Sequence, residues 1–383
     1  MNLSYWEKDT YFSNIDVLII GSGIVGLTAA LELKSANPSQ KIVVIERGFL
    51  PCGASSKNAG FSCFGSVSEL LDDLTKNSED NVFQIVEKRW KGLQQLRKNL
   101  GDQNLELYNL GGYEVFNDEV LYGQCADKIP YLNTMLKDII GNKAVYKNAD
   151  AKISQYGFNH VSHLIENSFE GQINTGKMIS SLIRKVQEMG VIVLNSLEVN
   201  QLQENEHHVE VELMNGIHFQ PTKVLVATNG FAKQLLPELD VQPARAQVLI
   251  TEPIENLKVA GTFHYDAGYY YFRNIDNRVL FGGGRNLDFK GEETTEMEVT
   301  ELVQNKLDEL LKTVILPNTE YKIAQRWSGI MGVGEVKATI VKPISKNIYC
   351  AVRMGGMGVA IGSLIGKEAA EMIRELRSDG SYE

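Results

Sequence analysis

The run Gly21-Ser22-Gly23-Ile24-Val25-Gly26 is the stretch whose residue types and spacing most directly imply chemistry. Glycines in the order GxGxxG let a strand turn sharply, let backbone N–H groups approach a pyrophosphate, and let the next helix pack close to the strand. Phosphates then rest on the helix N-terminus, where unpaired N–H groups and the positive end of the dipole attract anions without a basic side chain. Glu46 follows at about the twenty-residue spacing at which an acid accepts hydrogen bonds from an adenosine ribose. An acid there suits a ribose with free hydroxyls, as in FAD or NAD, and Arg47 stands beside it.

Such a site needs particular elements around it. Residues 15–20 are apolar and β-branched, as in a strand buried on both faces of a parallel sheet. A helix follows with Leu27, Ala30, Leu31 and Lys34 near helical spacing, and residues 41–45 form a second apolar strand ending at Glu46. Residues 55–66 read as a small-residue loop, and 67–100 carry helical periodicity. Strand is expected over 105–116, a helix over 175–189 and a strand over 191–194. A hairpin pairs 209–213 with 217–219 across Met214-Asn215-Gly216. A buried strand at 223–227 ends in Thr228-Asn229-Gly230, strands dominate 246–284, and a charged helix spans 295–313. The chain closes with a strand at 348–352, a glycine cluster and a helix over 363–377. No repeat or linker separates consecutive domains, so they are expected to be interleaved.

Bulk properties narrow the function classes. A chain of 383 residues exceeds the size of a single core, so two domains are expected. Its 43% hydrophobic and 22% charged content is that of a globular protein. A formal charge of −10 argues against a nucleic-acid partner, which needs a basic face. No apolar run nears the roughly 20 residues of a membrane span, and residues 1–14 do not form a signal peptide, so a cytoplasmic location follows by default. The four cysteines form no CxxC, and His160 and His163 lack an HExxH or carboxylate context. No metal is expected on those spacings.

Four fragments in order resemble the FAD-dependent D-amino-acid oxidase superfamily, which includes glycine oxidase, sarcosine oxidase and γ-glutamylputrescine oxidase. They are 16–26, the loop Gly53-Ala54-Ser55-Ser56-Lys57-Asn58-Ala59-Gly60-Phe61, the strand end Ala227-Thr228-Asn229-Gly230, and Gly355-Gly356-Met357-Gly358-Val359-Ala360. The resemblance spans nearly the whole chain. It implies an α/β chain, α+β overall, in which a Rossmann-like FAD-binding domain (1–82, 167–232 and 322–383) is interleaved with an antiparallel, β-rich substrate-binding domain (83–166 and 233–321).

Position by position, the resemblance implies that Gly21, Ser22, Gly23, Ile24, Val25 and Gly26 hold the pyrophosphate and that Glu46 and Arg47 flank the adenosine, with Val199 near the adenine. Ala54, Ser55, Asn58, Ala59 and Gly60 would line the flavin and ribityl chain. Thr228, Asn229 and Gly230 would border the cofactor, and Gly355, Gly356, Met357, Gly358 and Val359 would face the flavin. Tyr269, Arg285 and Trp327 are the catalytic candidates: a tyrosine over the substrate, a cation facing the flavin, and the tryptophan of the late Arg326-Trp327-Ser328-Gly329 segment. In the amino-acid oxidases an arginine shortly after that segment clamps the substrate carboxylate; Met331 stands about there, with Arg326 and Arg353 as possible displaced guanidiniums.

The activity so implied is oxidation of a C–N bond of an amine or amino-acid-like substrate to an imine, by hydride transfer to flavin N5. The electron acceptor would be oxygen or a quinone or protein acceptor. Alternatives are an FAD-dependent 2-hydroxy-acid or other C–OH dehydrogenase, and a flavin-binding subunit without independent turnover. The family's tethering cysteine has no counterpart near Trp327, and no histidine lies between Glu46 and Phe61, so FAD is expected to be noncovalent. Heat-denatured protein should therefore release FAD into the supernatant on centrifugation; colour retained in the pellet would indicate a covalent bond.

Overall fold

A computed structural model describes residues 2–375. Val17–Ile20 is buried along its length because each neighbour runs parallel to it, Ile42–Ile45 on one side and Lys223–Val226 on the other. Ile348–Val352 extends the sheet beyond Lys223–Val226, Ile192–Leu194 extends it beyond Ile42–Ile45, and antiparallel Ile340–Pro343 forms one edge of a six-stranded sheet. Helix Ile24–Ala36 leaves the first strand through the glycine turn and is buried over most of its surface. Such a helix carries little amphipathic stripe because other helices cover it.

Those covering helices are Gly358–Glu375 and Glu79–Leu100, which pack on it or on each other and share one apolar core with it. Their approach depends on glycines. A Cβ on Gly92 would lie 2.1 Å from the Ala360 carbonyl oxygen, and one on Gly366 would lie 2.6 Å from that of Val25. Real side chains do not tolerate such contacts, so the helices touch backbone to backbone.

The second sheet has eight strands in the order Ile323–Val333, Gln242–Thr251, Arg278–Gly283, Tyr270–Ile275, Thr262–Tyr265, Gly112–Phe116, His163–Asn167 and Tyr146–Asn148. Its pairings are antiparallel except Thr262–Tyr265 with Gly112–Phe116, which are parallel. One face carries Phe263, Phe272, Phe281 and Tyr270, packed beneath helix Glu301–Leu310. The opposite face turns toward the first sheet. The expected hairpin is present within a three-stranded sheet, with Gly216 at φ 80° in its turn.

Several boundaries differ from the sequence expectations. The helical stretch 67–100 is two helices, Val67–Lys76 and Glu79–Leu100, because Ser78 caps the second through its hydroxyl. Residues 105–116 hold strand only over Gly112–Phe116, after a short helix Asp102–Leu105. The charged helix begins at Glu301 rather than 295, and the last helix begins at Gly358, absorbing Gly358 and Gly362. Its expected end at 377 lies outside the described residues, as do residue 1 and 376–383 of the expected domain segments. Glu79–Leu100 packs with the helices of the first sheet, and Ile323–Val333 is an edge strand of the second. The expected boundaries at 82/83 and 321/322 therefore do not follow the layers.

Replacing Gly92 with alanine should force Glu79–Leu100 and Gly358–Glu375 apart. The expected cost is about 1–3 kcal/mol in denaturant unfolding, the usual range for overpacking, and a neutral result would mean that the helices separate freely.

Candidate functional site

Two helix N-termini open on a cleft of about 950 Å³ between the sheets. At the first, Gly21 adopts φ 108°, and a Cβ there would lie 2.9 Å from the Ala227 carbonyl oxygen. A Cβ on Gly26 would lie 2.1 Å from the carbonyl oxygen of Gly21, so the third glycine serves packing and does not itself face the cleft. Gly23 forms the N-cap, and the Ile24 N–H donates to Ser55 Oγ at 3.0 Å, pinning the loop to the helix. At the second, Gly355 and Gly356 have φ 58° and 82°, and Gly358 starts a helix whose first N–H groups lack intrahelical acceptors.

Glu46 is buried at the end of the second strand, where its carboxylate accepts from the Ser22 hydroxyl at 2.8 Å and the Gly48 N–H at 3.0 Å. Ser22 thus orients the acid instead of lining the cleft. Arg47 lies over the Phe231 ring, 3.8 Å from its centroid, and Val199 lines the same end. In the loop, Ala54, Ser55, Ala59 and Gly60 line the middle of the cleft with Asn58. The Asn58 amide donates to Ala54 and Ser55 carbonyls, while its oxygen accepts from the Gly60 N–H at 2.8 Å, so that side chain braces the loop. Asn229 ties the two halves together: its Oδ1 accepts from the Arg353 and Met354 N–H groups at 3.0 and 3.2 Å. Thr228 lines the cleft with a buried hydroxyl that has no partner. Gly230 lies behind the wall, against the Met331 backbone.

These features fit a dinucleotide flavin. A Cβ on Gly53 or Gly355 would enter open space at the cleft, two positive helix ends face that space, and Thr228 offers an unused hydroxyl. Glu46 sits at the ribose end and the small-residue loop where a flat ring must pass close to backbone.

The opposite wall comes from the second sheet. Tyr269 and Tyr271 share the cleft face while Tyr270 enters the aromatic core, as strand alternation requires. Tyr269 is 45% exposed. Tyr271 sits against Phe61, and burial pushes its phenol up to about 12, so it remains a proton donor. Arg285 lines the cleft, with its guanidinium 5.0 Å from the Phe289 ring centroid and its Nε buried without a partner. Burial lowers its proton affinity, yet an arginine remains charged. Glu292 and Glu293 favour its charge.

Trp327 does not line the cleft. Its indole N–H donates to the Lys57 carbonyl at 2.9 Å and its ring packs against the cluster of Ala59, Val248 and Leu280, so it supports the flavin loop from behind. The displaced-arginine candidates are also elsewhere. Arg326 is engaged by Asp308 at 2.8 Å and Gln304, and Arg353 by Asp240 and the Ala338 carbonyl. Met331 does stand in the cleft wall, beside Gly356.

Sequence reading missed a charged end of the cleft formed by Glu69, Arg89, His264 and Lys337, beside Cys63. Glu69 accepts from Arg89 at 3.0 Å; although burial opposes it, Arg89 and Lys337 hold its carboxyl below the usual range. His264 is raised against the effect of burial by its hydrogen bond to Glu170 and by Glu114 and Glu69. Burial raises Glu114 despite two hydrogen bonds from Ser68. One signal was available: His264 pairs directly across from Tyr271, on the adjacent strand of the hairpin.

Comparison with known proteins agrees with this geometry. The chain is 23% identical over 395 aligned positions to a probable oxidoreductase, OrdL, of Haemophilus influenzae, covering 95% of this chain and 84% of that one. The structure of iminodiacetate oxidase from Chelativorans sp. BNC1 superposes with a TM-score of 0.77 at 17% identity over 94% of this chain and 95% of that one. Glycine oxidase from Geobacillus kaustophilus gives 0.74 at 18% identity over 96% of each chain. These structural likenesses establish the fold. A family model described as FAD dependent oxidoreductase matches residues 16–372, and the chain belongs to that family of FAD-dependent oxidoreductases.

Proposed function

We propose that this oxidoreductase oxidises a C–N single bond of an amine bearing an anionic group, to an imine that water hydrolyses. The observation that carries the reading is Arg285, a cleft-lining guanidinium with a buried, unpartnered Nε. Its planar fork suits a carboxylate, and it stands in for the clamp that Met331 does not provide.

FAD, when bound, supplies the acceptor for the electron pair and hydrogen that leave the substrate carbon. The residues Gly21, Gly23, Ile24, Val25, Glu46, Arg47, Ser55, Thr228, Gly356, Met357 and Gly358 would hold it. The chain's task is positioning. Arg285 anchors the anionic end, the Tyr271 and Tyr269 phenols donate hydrogen bonds to polar atoms of the substrate, and Phe61 and Met331 exclude water around the reacting carbon. On this reading the six-stranded sheet serves the cofactor and the eight-stranded sheet the substrate. Among the described residues no helix is long and apolar enough to cross a membrane.

Anaerobic mixing with amines, amino acids and hydroxy acids tests the claim. Bleaching by an amino compound with release of ammonia or an amine is expected; bleaching by hydroxy acids alone would replace the reading with C–OH oxidation. Arg285→Gln should weaken the half-saturation of a carboxylated substrate about 10- to 100-fold, because a hydrogen bond to a charged group contributes about 1.5–3 kcal/mol. An unchanged value would remove Arg285 as the clamp.

The pH dependence has a definite sign. Tyr271 titrates at about 12 and stays protonated across the working range, so the rise in bleaching rate with pH belongs to deprotonation of the substrate amine. Tyr271→Phe should lower the rate while leaving the midpoint in place; a displaced midpoint would make the phenol the titrating group.

A further inference from the structure

At the charged end of the cleft, Cys63 Sγ, a carboxylate oxygen of Glu170 and a ring nitrogen of His264 all lie within 4.8 Å of one another. The reading of the cleft as an amine oxidase uses none of them. They come from three distant segments: the chain after the flavin loop, the turn before Gly171, and a strand of the eight-stranded sheet.

The Glu170 carboxylate is placed with care. It is 1% exposed, and a Cβ on Gly112 would lie 2.1 Å from its Oε2, so a glycine is needed opposite it. Asn167 Nδ2 donates to its other oxygen at 3.3 Å, the kind of outer contact that orients a ligating carboxylate. His264 Nε2 lies 3.2 Å from Oε2. That is long for a charge-assisted hydrogen bond, which runs about 2.7–2.9 Å. It is close to the separation of about 3.3 Å between N and O ligands on a tetrahedral ion with bonds near 2.0–2.1 Å. A histidine–glutamate ion pair also has no use for a thiol beside it, whereas a metal does.

We propose that Cys63, Glu170 and His264 form a site for one divalent transition-metal ion, zinc by preference, with a fourth position open to the cleft. Mixed sulfur, nitrogen and oxygen donors suit this borderline ion, and three protein ligands with one open position is the arrangement of a site that exchanges water or substrate. Cys63 and His264 line the cleft, which gives the ion an entry path and directs the open position toward a bound anionic or carbonyl group. Binding releases the Cys63 proton, and that of His264 when the ring is charged, and yields a site neutral overall: one thiolate, one carboxylate and a neutral imidazole around a doubly charged ion.

The test uses the purified holoprotein and zinc. Competition against a chromophoric chelator should yield one tight site per chain, and Cys63→Ser should weaken it about 100-fold or more, given that even outer-shell changes cost about 10- to 100-fold. The flavin absorbance of the variant reports that the fold is kept. Equal zinc affinity in the two proteins, or no tight binding by the wild type, would overturn the proposal. Should Cys63→Ser fail to retain its flavin, X-ray absorption at the zinc edge of the wild type decides: a sulfur neighbour supports the site, and nitrogen and oxygen neighbours alone refute it.

Discussion

The whole arrangement depends on backbone being allowed to touch backbone. Helices Ile24–Ala36 and Gly358–Glu375 start at the same cleft, and each brings N–H groups without intrahelical acceptors to it. Two like dipole ends side by side repel one another. What holds them is the close packing at Gly362 and Gly366 against Ile24, Val25 and Thr28, together with Asn229, which fastens the strand end to the segment before the closing helix. An anion between the two ends relieves the repulsion. Cofactor affinity and helix packing are therefore one property of this molecule.

The charged end of the cleft follows a different logic. Glu69, Arg89, Lys337 and Asp73 form a linked set, with Arg89 also donating to the Phe64 carbonyl. Partly buried ions are costly unless each has partners, and a set like this contributes little net stability. Its value is positional: it fixes Val67–Lys76, from the N-terminal third of the chain, against the segment around Lys337. Removing one member leaves a buried charge exposed to low dielectric, a larger penalty than the pair itself is worth.

How much of this the sequence revealed varies with the range of the signal. The GxGxxG turn, its strands, the acid at 46 and the alternation of Tyr269, Tyr270 and Tyr271 are local patterns, and they were legible. The closing helix was placed after the glycine cluster, at 363, whereas it starts at Gly358; at Gly358 and Gly362 packing outweighs propensity. Trp327 was assigned to chemistry because of its neighbours in sequence, whereas its indole faces the back of the flavin loop. Residues 63, 69 and 170 gave no local signal, and His264 only its place across the hairpin from Tyr271, since the closing of both sheets brings the four together.

The order of strands in the six-stranded sheet also governs how the chain can be made. Val17–Ile20 emerges first, yet one of its partners is Lys223–Val226, and that strand's outer neighbour is Ile348–Val352. Val17–Ile20 can pair early with Ile42–Ile45, and that strand with Ile192–Leu194, but Lys223–Val226 keeps a bare outer edge until Ile348–Val352 has emerged. Long-range pairing of this kind folds slowly and leaves sticky edges in the meantime. A chain cut before Ile348 would keep the pairing of Val17–Ile20 yet leave the apolar edge of Lys223–Val226 open to whatever strand meets it first.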